Sequence, residues 1–178
     1  IDRSHHGLDL HVKADKKTSN WKKIQHYCYK ENNASEEIMY FIAQPNGKGA
    51  ACERLARELF SSLKVRSGTG HDHICEGKKG EQKTSAKWNC EDFKWQHIEL
   101  GHDWEFLILT AIHFTEIKWY FLSRKTLRNM MRRKKPQVKI QGDGKGSNEG
   151  RWFYYSKVIS DLTEFKTNDE LLKLVSEL

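Results

Sequence analysis

The chain has 178 residues, of which 37% are hydrophobic and 31% charged, enough apolar content for one ordinary core and too little for two. Its 31 Lys and Arg against 24 Asp and Glu leave a formal net charge of +7, which points toward a polyanionic partner. The apolar runs are short and interrupted by charge, and the first residues lack the apolar stretch of a secretory signal, so membrane-spanning and secreted classes are set aside and a soluble, cytoplasmic protein is expected.

Residues 1–17 are rich in His, Asp and Lys without apolar periodicity, and no role is readable there. Between 21 and 42, Trp21, Ile24, Tyr27 and Tyr29, then Ile38, Tyr40 and Ile42, alternate with charged positions, which predicts extended segments around the polar turn Asn32-Asn33. Residues 1–45 as a whole form an N-terminal extension of uncertain structure. Pro45-Asn46-Gly47 marks a turn, and Gly47-Lys48-Gly49 lacks the residues of a phosphate loop. Cys52, Leu55, Ala56, Leu59, Phe60 and Leu63 then fall at helical spacing, with Glu53, Arg54, Arg57 and Glu58 between them. Cys28, Cys52, Cys75 and Cys90 show no CxxC pairing, and a core of this size needs no staple, so free thiols are expected.

From Ser67 the chain reads Ser-Gly-Thr-Gly-His-Asp72-His-Ile-Cys-Glu-Gly-Lys-Lys-Gly-Glu81-Gln82-Lys83-Thr-Ser85, which predicts a hairpin turning near Gly77 to Gly80. Side chains alternate along a strand, so Glu81 and Lys83 share a face and the neighbouring strand brings Asp72 beside them. Two convergent carboxylates suit a hard cation, and a lysine next to them suits water activation and the charge of a pentacovalent phosphate. His71, His73 and Cys75 alternate on the same strand, but no second ligand pair stands at zinc spacing.

Residues 91–100 are expected to form a second helix, and 106–112 and 117–122 two strands buried on both faces. Eight basic residues and no acid lie between 124 and 139, and a glycine-rich polar loop follows from 141 to 150. Thr167 and Glu170 have capping-box spacing ahead of Leu171, Leu172, Leu174, Val175 and Leu178, which predicts a closing helix.

The order of an amphipathic helix, an Asp-x8-Glu-x-Lys hairpin, a Thr84-Ser85 pair and two apolar strands resembles the PD-(D/E)xK nuclease superfamily, specifically small restriction endonucleases, over residues 48–124. The stretch Trp95-Gln96-His97-Ile98 and the following 103–109 look like that group's helix and central strand. His71 stands where the name-giving proline would be, and Gln82 where an apolar residue is commoner.

The resemblance implies one α/β nuclease domain over 1–178, with a restriction-endonuclease-like core of mixed central β-sheet and flanking helices in 48–124. Residues 125–178 would supply DNA contacts and the C-terminal helix. It implies Asp72, Glu81 and Lys83 as catalytic residues, with Gln96 and Glu53 as further candidates. Asp72, Glu81 and Gln82 would be the ligands of Mg2+, for which Mn2+ would substitute. The basic run and the polar loop supply Arg124, Arg128, Arg132, Arg133, Lys135, Asn148 and Arg151 as candidate DNA contacts. The expected partner is double-stranded DNA, cut at a specific sequence by a homodimer. A repair or junction-resolving nuclease of the same fold is the alternative, and a non-catalytic DNA-binding module is the rival of another class.

Overall fold

The structure is a computed structural model and describes residues 18–44, 47–142 and 150–178. The expected turn at Pro45-Asn46 and the polar loop with Asn148 and Glu149 lie outside the described residues, as does the stretch before Thr18.

Three helices come first: α1 (Thr18–Glu31), α2 (Glu36–Ala43) and α3 (Lys48–Leu59). The expectation of extended segments over 21–42 is therefore corrected. The buried residues are Ile24, Cys28 and Tyr29, then Ile38, Phe41 and Ile42, spaced at three and four as one face of a helix requires. The aromatic alternation included Tyr27 and Tyr40, which are exposed and belong to no strand pattern. Asn33 takes a positive φ of 57° between the two helices, and the Ser35 hydroxyl accepts from the Ile38 N–H at 3.3 Å to start the second.

A six-stranded mixed sheet follows in the order β1-β2-β3-β5-β6-β9, built from β1 (Lys64–Val65), β2 (His73–Cys75), β3 (Lys78–Ala86), β5 (Phe106–Ile112), β6 (Ile117–Ser123) and β9 (Thr163–Phe165). The expected hairpin is present as β2 and β3. Its turn is Glu76-Gly77, both at positive φ, so Cys75 pairs with Lys78 and His73 with Gly80. At Gly80 any Cβ would sit 2.4 Å from the Phe106 ring, so only glycine lets the central strand pack against β3 there.

Strands β3 and β5 are parallel and need a crossover, which the sequence assigned to a helix at 91–100. The crossover is instead β4 (Lys94–Glu99), which pairs with β8 (Gly150–Tyr154), itself paired with β7 (Lys139–Ile140), in a second sheet. Buried Trp95 and Ile98 are three apart, as on a helix, because the register shifts between them and His97 takes a φ of 56°. An extra residue in a strand imitates helical spacing.

On one face of the main sheet, Leu107, Leu109, Tyr120 and Leu122 pack against Trp95 and Phe153 of the small sheet and Leu127 of α4 (Arg124–Met131). On the other, Phe106, Ile108, Trp119 and Phe121 pack against Ala56 of α3 and against Leu171 and Val175 of the closing helix. Burying each Leu or Phe of this kind contributes about 1.5–3 kcal/mol. Between β8 and β9 lie the one-turn helix α5 (Tyr155–Val158) and a 3-10 turn. The closing helix α6 (Asn168–Ser176) starts with the expected cap, the Thr167 hydroxyl accepting from the Glu170 N–H at 3.1 Å. Among the described residues no helix is long and apolar enough to cross a membrane.

The expectation of free thiols holds for buried Cys52 and Cys75 and fails for Cys28 and Cys90, which form a disulfide across 62 positions. A separation that long leaves no spacing signature. It also closes a large loop between α1 and the segment after β3, which in the chain-entropy account stabilises by about 4 kcal/mol. Cys28→Ser with Cys90→Ser should lower the urea-unfolding free energy by about 2–4 kcal/mol relative to the oxidised parent. Identical midpoints for the two proteins would show that the link contributes nothing.

Candidate active site

Asp72 precedes β2 and is fixed to β3 at two points. Its N–H donates to the Gly80 carbonyl at 2.8 Å, and its Oδ2 accepts from the Gln82 N–H at 2.8 Å. The register that pairs His73 with Gly80 sets Asp72 opposite Glu81 one step on. The two carboxyl groups lie side by side and act on each other's protonation.

Burial pushes the Glu81 carboxyl up to about 8, helped by the hydrogen bond and charge of Asp72 and by Glu53, and opposed by Lys83. Burial also acts to raise Asp72, yet its carboxyl lies below the usual value, because neighbouring Glu81, the Gln82 N–H, His73 and Lys83 together outweigh it. Of the two, Glu81 is the acid that favours its protonated form and Asp72 the one that favours its charge.

Glu53 of α3 belongs to the same electrostatic group. Burial raises its carboxyl first and Asp72 next, with Arg57, Lys83 and Arg66 opposing. Lys83, half-buried on the face of Glu81, thus acts on all three acids. His102 was not singled out in the sequence. Its Nδ1 lies 3.8 Å from Glu81 Oε2, and its side chain is 49% exposed against 7% for Glu81. Nothing in the spacing separated it from the other eight histidines of the chain.

Gln82 is oriented the opposite way. Arg57 Nη1 lies 3.2 Å from His73 Nδ1, His73 Nε2 lies 2.6 Å from Gln82 Oε1, and Gln82 Nε2 donates to Thr110 Oγ1 at 2.9 Å. A guanidinium only donates, so His73 Nδ1 accepts and Nε2–H donates to the amide. Burial, ahead of the opposing Gln82 hydrogen bond, holds His73 below its ordinary value, in keeping with that neutral tautomer. The network explains an amide in a buried strand position, and it leaves the Gln82 side chain engaged away from the acids, so that Gln82 could serve a cation there only through its backbone carbonyl.

Among the described residues no group of three or more His, Cys, Asp and Glu side chains is disposed to hold a metal by itself. The donor set is two hard, neighbouring carboxyl groups. That fits a cation such as Mg2+, which is commonly held by one or two carboxylates with water and substrate phosphate completing its shell. It does not fit a metal that needs a full protein cage.

The candidate DNA contacts divide. Arg124 is turned inward: its guanidinium donates to the carbonyls of Leu100, His102 and Trp104 and stacks 4.5 Å from the Trp104 ring. It fastens the loop that carries His102 and is not free for phosphate. Arg133 makes a two-pronged bond to Asp161 at 2.5 and 2.8 Å, so an acid from outside the basic run neutralises it. Arg128, Arg132 and Lys135 are exposed. Arg128 and Arg132 line a cavity of about 650 Å³ that also meets Glu105, Asp161 and Glu177. Arg151 is half-buried on β8 and donates to the Gly150 carbonyl, and Gln96 is exposed on β4. The structure brings together Asp72, Glu81, Lys83 and Glu53, and leaves Gln96, Arg151 and the basic helix outside that group.

No family model matches the chain, and no curated protein matches it significantly.

The raised Glu81 carboxyl has a consequence for stability. In metal-free protein Glu81 keeps, up to about pH 8, a proton that the unfolded chain releases near its ordinary value of 4.5. The folded state binds more protons in that window, so stability should fall as pH rises from about 4.5 toward 8. Asp72, held low, acts oppositely and only in acid, losing its contribution as pH falls below its ordinary value of 3.8. Urea midpoints in chelator at pH 5.5 and 8.5 should show a larger alkaline loss of stability for the parent than for Glu81→Gln, the comparison cancelling buried His73 and His113, which act in the opposite direction in both proteins. The same pH dependence in the two proteins would show that Glu81 is not held protonated.

Proposed function

We propose that this chain is a divalent-metal-dependent endonuclease that hydrolyses phosphodiester bonds in duplex DNA, on a core of the PD-(D/E)xK restriction-endonuclease-like kind. The observation that carries this reading is the convergence of Asp72 and Glu81 across the β2-β3 pair beside Lys83. Buried carboxyl groups held that close oppose each other unless a proton or a cation lies between them, and folding has placed them together rather than apart. Glu53 on the preceding helix adds a third acid, as the resemblance led us to expect.

Asp72 and Glu81 would hold Mg2+, which would neutralise the scissile phosphate and acidify a water. The chain's own residues do the rest. The Gln82 N–H keeps Asp72 oriented, and the Arg57, His73, Gln82 and Thr110 network holds β3 from behind. Lys83 offers a cation to the charge that builds on the phosphate, and orients the attacking water. Exposed Arg128, Arg132 and Lys135 meet backbone phosphates, each contact adding about 0.9 to the salt dependence of binding. The crossover through β4 departs from the helix that the resemblance implied, and β3, which carries Glu81 and Lys83, pairs with β2 and with β5. Action at a specific sequence by a homodimer follows from the same resemblance, since symmetric sites suit symmetric enzymes.

Lys83→Ala should reduce magnesium-dependent plasmid cleavage by orders of magnitude while thermal unfolding stays near the parent's. Asp72→Asn and Glu81→Gln should abolish cutting; near neutral pH without metal Asp72→Asn should bind duplex DNA as well as the parent or better, because it removes the charge that the pair carries, and Glu81→Gln, which replaces a protonated carboxyl, should bind like the parent. Calcium should tighten the parent's binding in gel shifts and leave the DNA intact. Folded Asp72→Asn and Glu81→Gln proteins that still cut would remove these residues from the chemistry. Salt-sensitive binding with no cleavage of any DNA would favour a non-catalytic binding module.

A further inference from the structure

Beyond Gly80 no strand pairs with the outer edge of β3 among the described residues, because β2 ends there. A groove of about 350 Å³ opens along that edge at Ser85, two residues past Lys83, walled by Trp21, Lys48, Trp88, Lys94 and Gln96. No Asp or Glu lies among its lining residues. Its composition is aromatic and cationic, on the strand that carries the acids.

Lys48 is paired with an indole of the groove, and Lys94 with one outside its lining. Lys48 Nζ lies 5.1 Å from the Trp21 ring centre and donates to Gln25, and Lys94 Nζ lies 4.1 Å from the ring of Trp152. The disulfide joins the two aromatic walls, since Trp21 and Cys28 share α1 and Cys90 follows Trp88 by two positions. The groove is thereby fixed without a ligand, and its volume falls in the range of about 300–1,000 Å³ of small-ligand sites.

We propose that this groove binds one unpaired nucleotide of the strand being cut, its base against the indoles of Trp21 and Trp88 and its phosphate between Lys48 and Lys94. The proposal rests on the nuclease reading and names a part of its substrate. Aromatic faces take a base only when it is released from its pair, and cations beside them take the attached phosphate. A base drawn out of the duplex beside the scissile phosphate is what the position two residues from Lys83 calls for. Lys48 supports the assignment. Burial and the neighbouring Lys22 push its amine down to about 8, so an arriving phosphate would relieve a cation that the protein itself disfavours.

The test uses the oxidised full chain in chelator at low salt. Fluorescein-labelled oligothymidylate is titrated while anisotropy and tryptophan emission are followed. The parent should bind and its emission should fall. Trp88→Leu and the double variant Lys48→Gln with Lys94→Gln should each weaken binding about tenfold, the lysine pair also flattening the salt dependence. Circular dichroism checks folding, and if Trp88→Leu is misfolded the lysine variant decides. No binding by the parent, or parent affinity in the folded lysine variant, overturns the proposal. Loss of oligothymidylate binding in that variant, in a protein that cuts no DNA with magnesium, would sink the nuclease reading and leave the groove standing. Cleavage with an unaffected groove variant would do the reverse.

Discussion

The structure around the site depends on the close opposition of Asp72 and Glu81. Two buried carboxylates repel each other, and the surroundings answer this by favouring the protonated form of Glu81 and setting donors around Asp72. Keeping the pair opposed requires the β2-β3 register. A slip by one residue would send Glu81 and Lys83 to the other face and bring Gln82 among the acids. The register is fixed at both ends: by a two-residue turn at positive φ, and by Gly80, where the Phe106 ring leaves no room for a Cβ. On the rear face, the hydrogen-bonded chain from Arg57 to Thr110 gives buried His73, Gln82 and Thr110 partners that a slipped strand would lose.

Arg124 shows how little charge alone says about role. It opens the longest basic stretch in the sequence, yet three carbonyl acceptors and the Trp104 ring hold it against the loop before β5. A guanidinium with its donors in a fixed fork suits that task better than an ammonium would. Through this loop Arg124 acts on the site indirectly, by fixing the segment in which His102 approaches Glu81. Arg133 is likewise committed, to Asp161.

The acid pair, Lys83, the hairpin, both apolar strands and the C-terminal cap were legible in the sequence because each rests on local spacing: alternation in a strand, a turn residue, a capping pair. What was not legible rests on distance or on imitation. The helices at 18–43 were obscured because exposed Tyr27 and Tyr40 counted equally with buried Ile24 and Phe41. The strand carrying Trp95 was obscured because its bulge reproduced helical spacing. The Cys28–Cys90 link, the Asp161 partner of Arg133 and the approach of His102 are made across 62, 28 and 21 positions, where no pattern of neighbours reports them. Gln82 was half legible: its oddness in a buried strand was visible, and the histidine that accounts for it was not paired with it.

The protonation of Glu81 bears on how a polyanion could approach such a site. With both acids ionised, the edge of β3 would present two negative charges to a phosphate, plus that of Glu53. With Glu81 protonated near neutral pH, the pair presents one, against Lys83 on the same face. Past Lys83, the groove adds Lys48 and Lys94 and no acid. Positive potential thus rises along the β3 edge from the acids toward the groove, so a nucleic-acid strand would be held mainly from the groove side until a cation replaced the proton. Under the proposed function, exchange of a proton on Glu81 for a metal would change the local charge most at the point where a phosphate would rest, coupling metal binding, proton release and substrate placement through one pair of carboxyl groups.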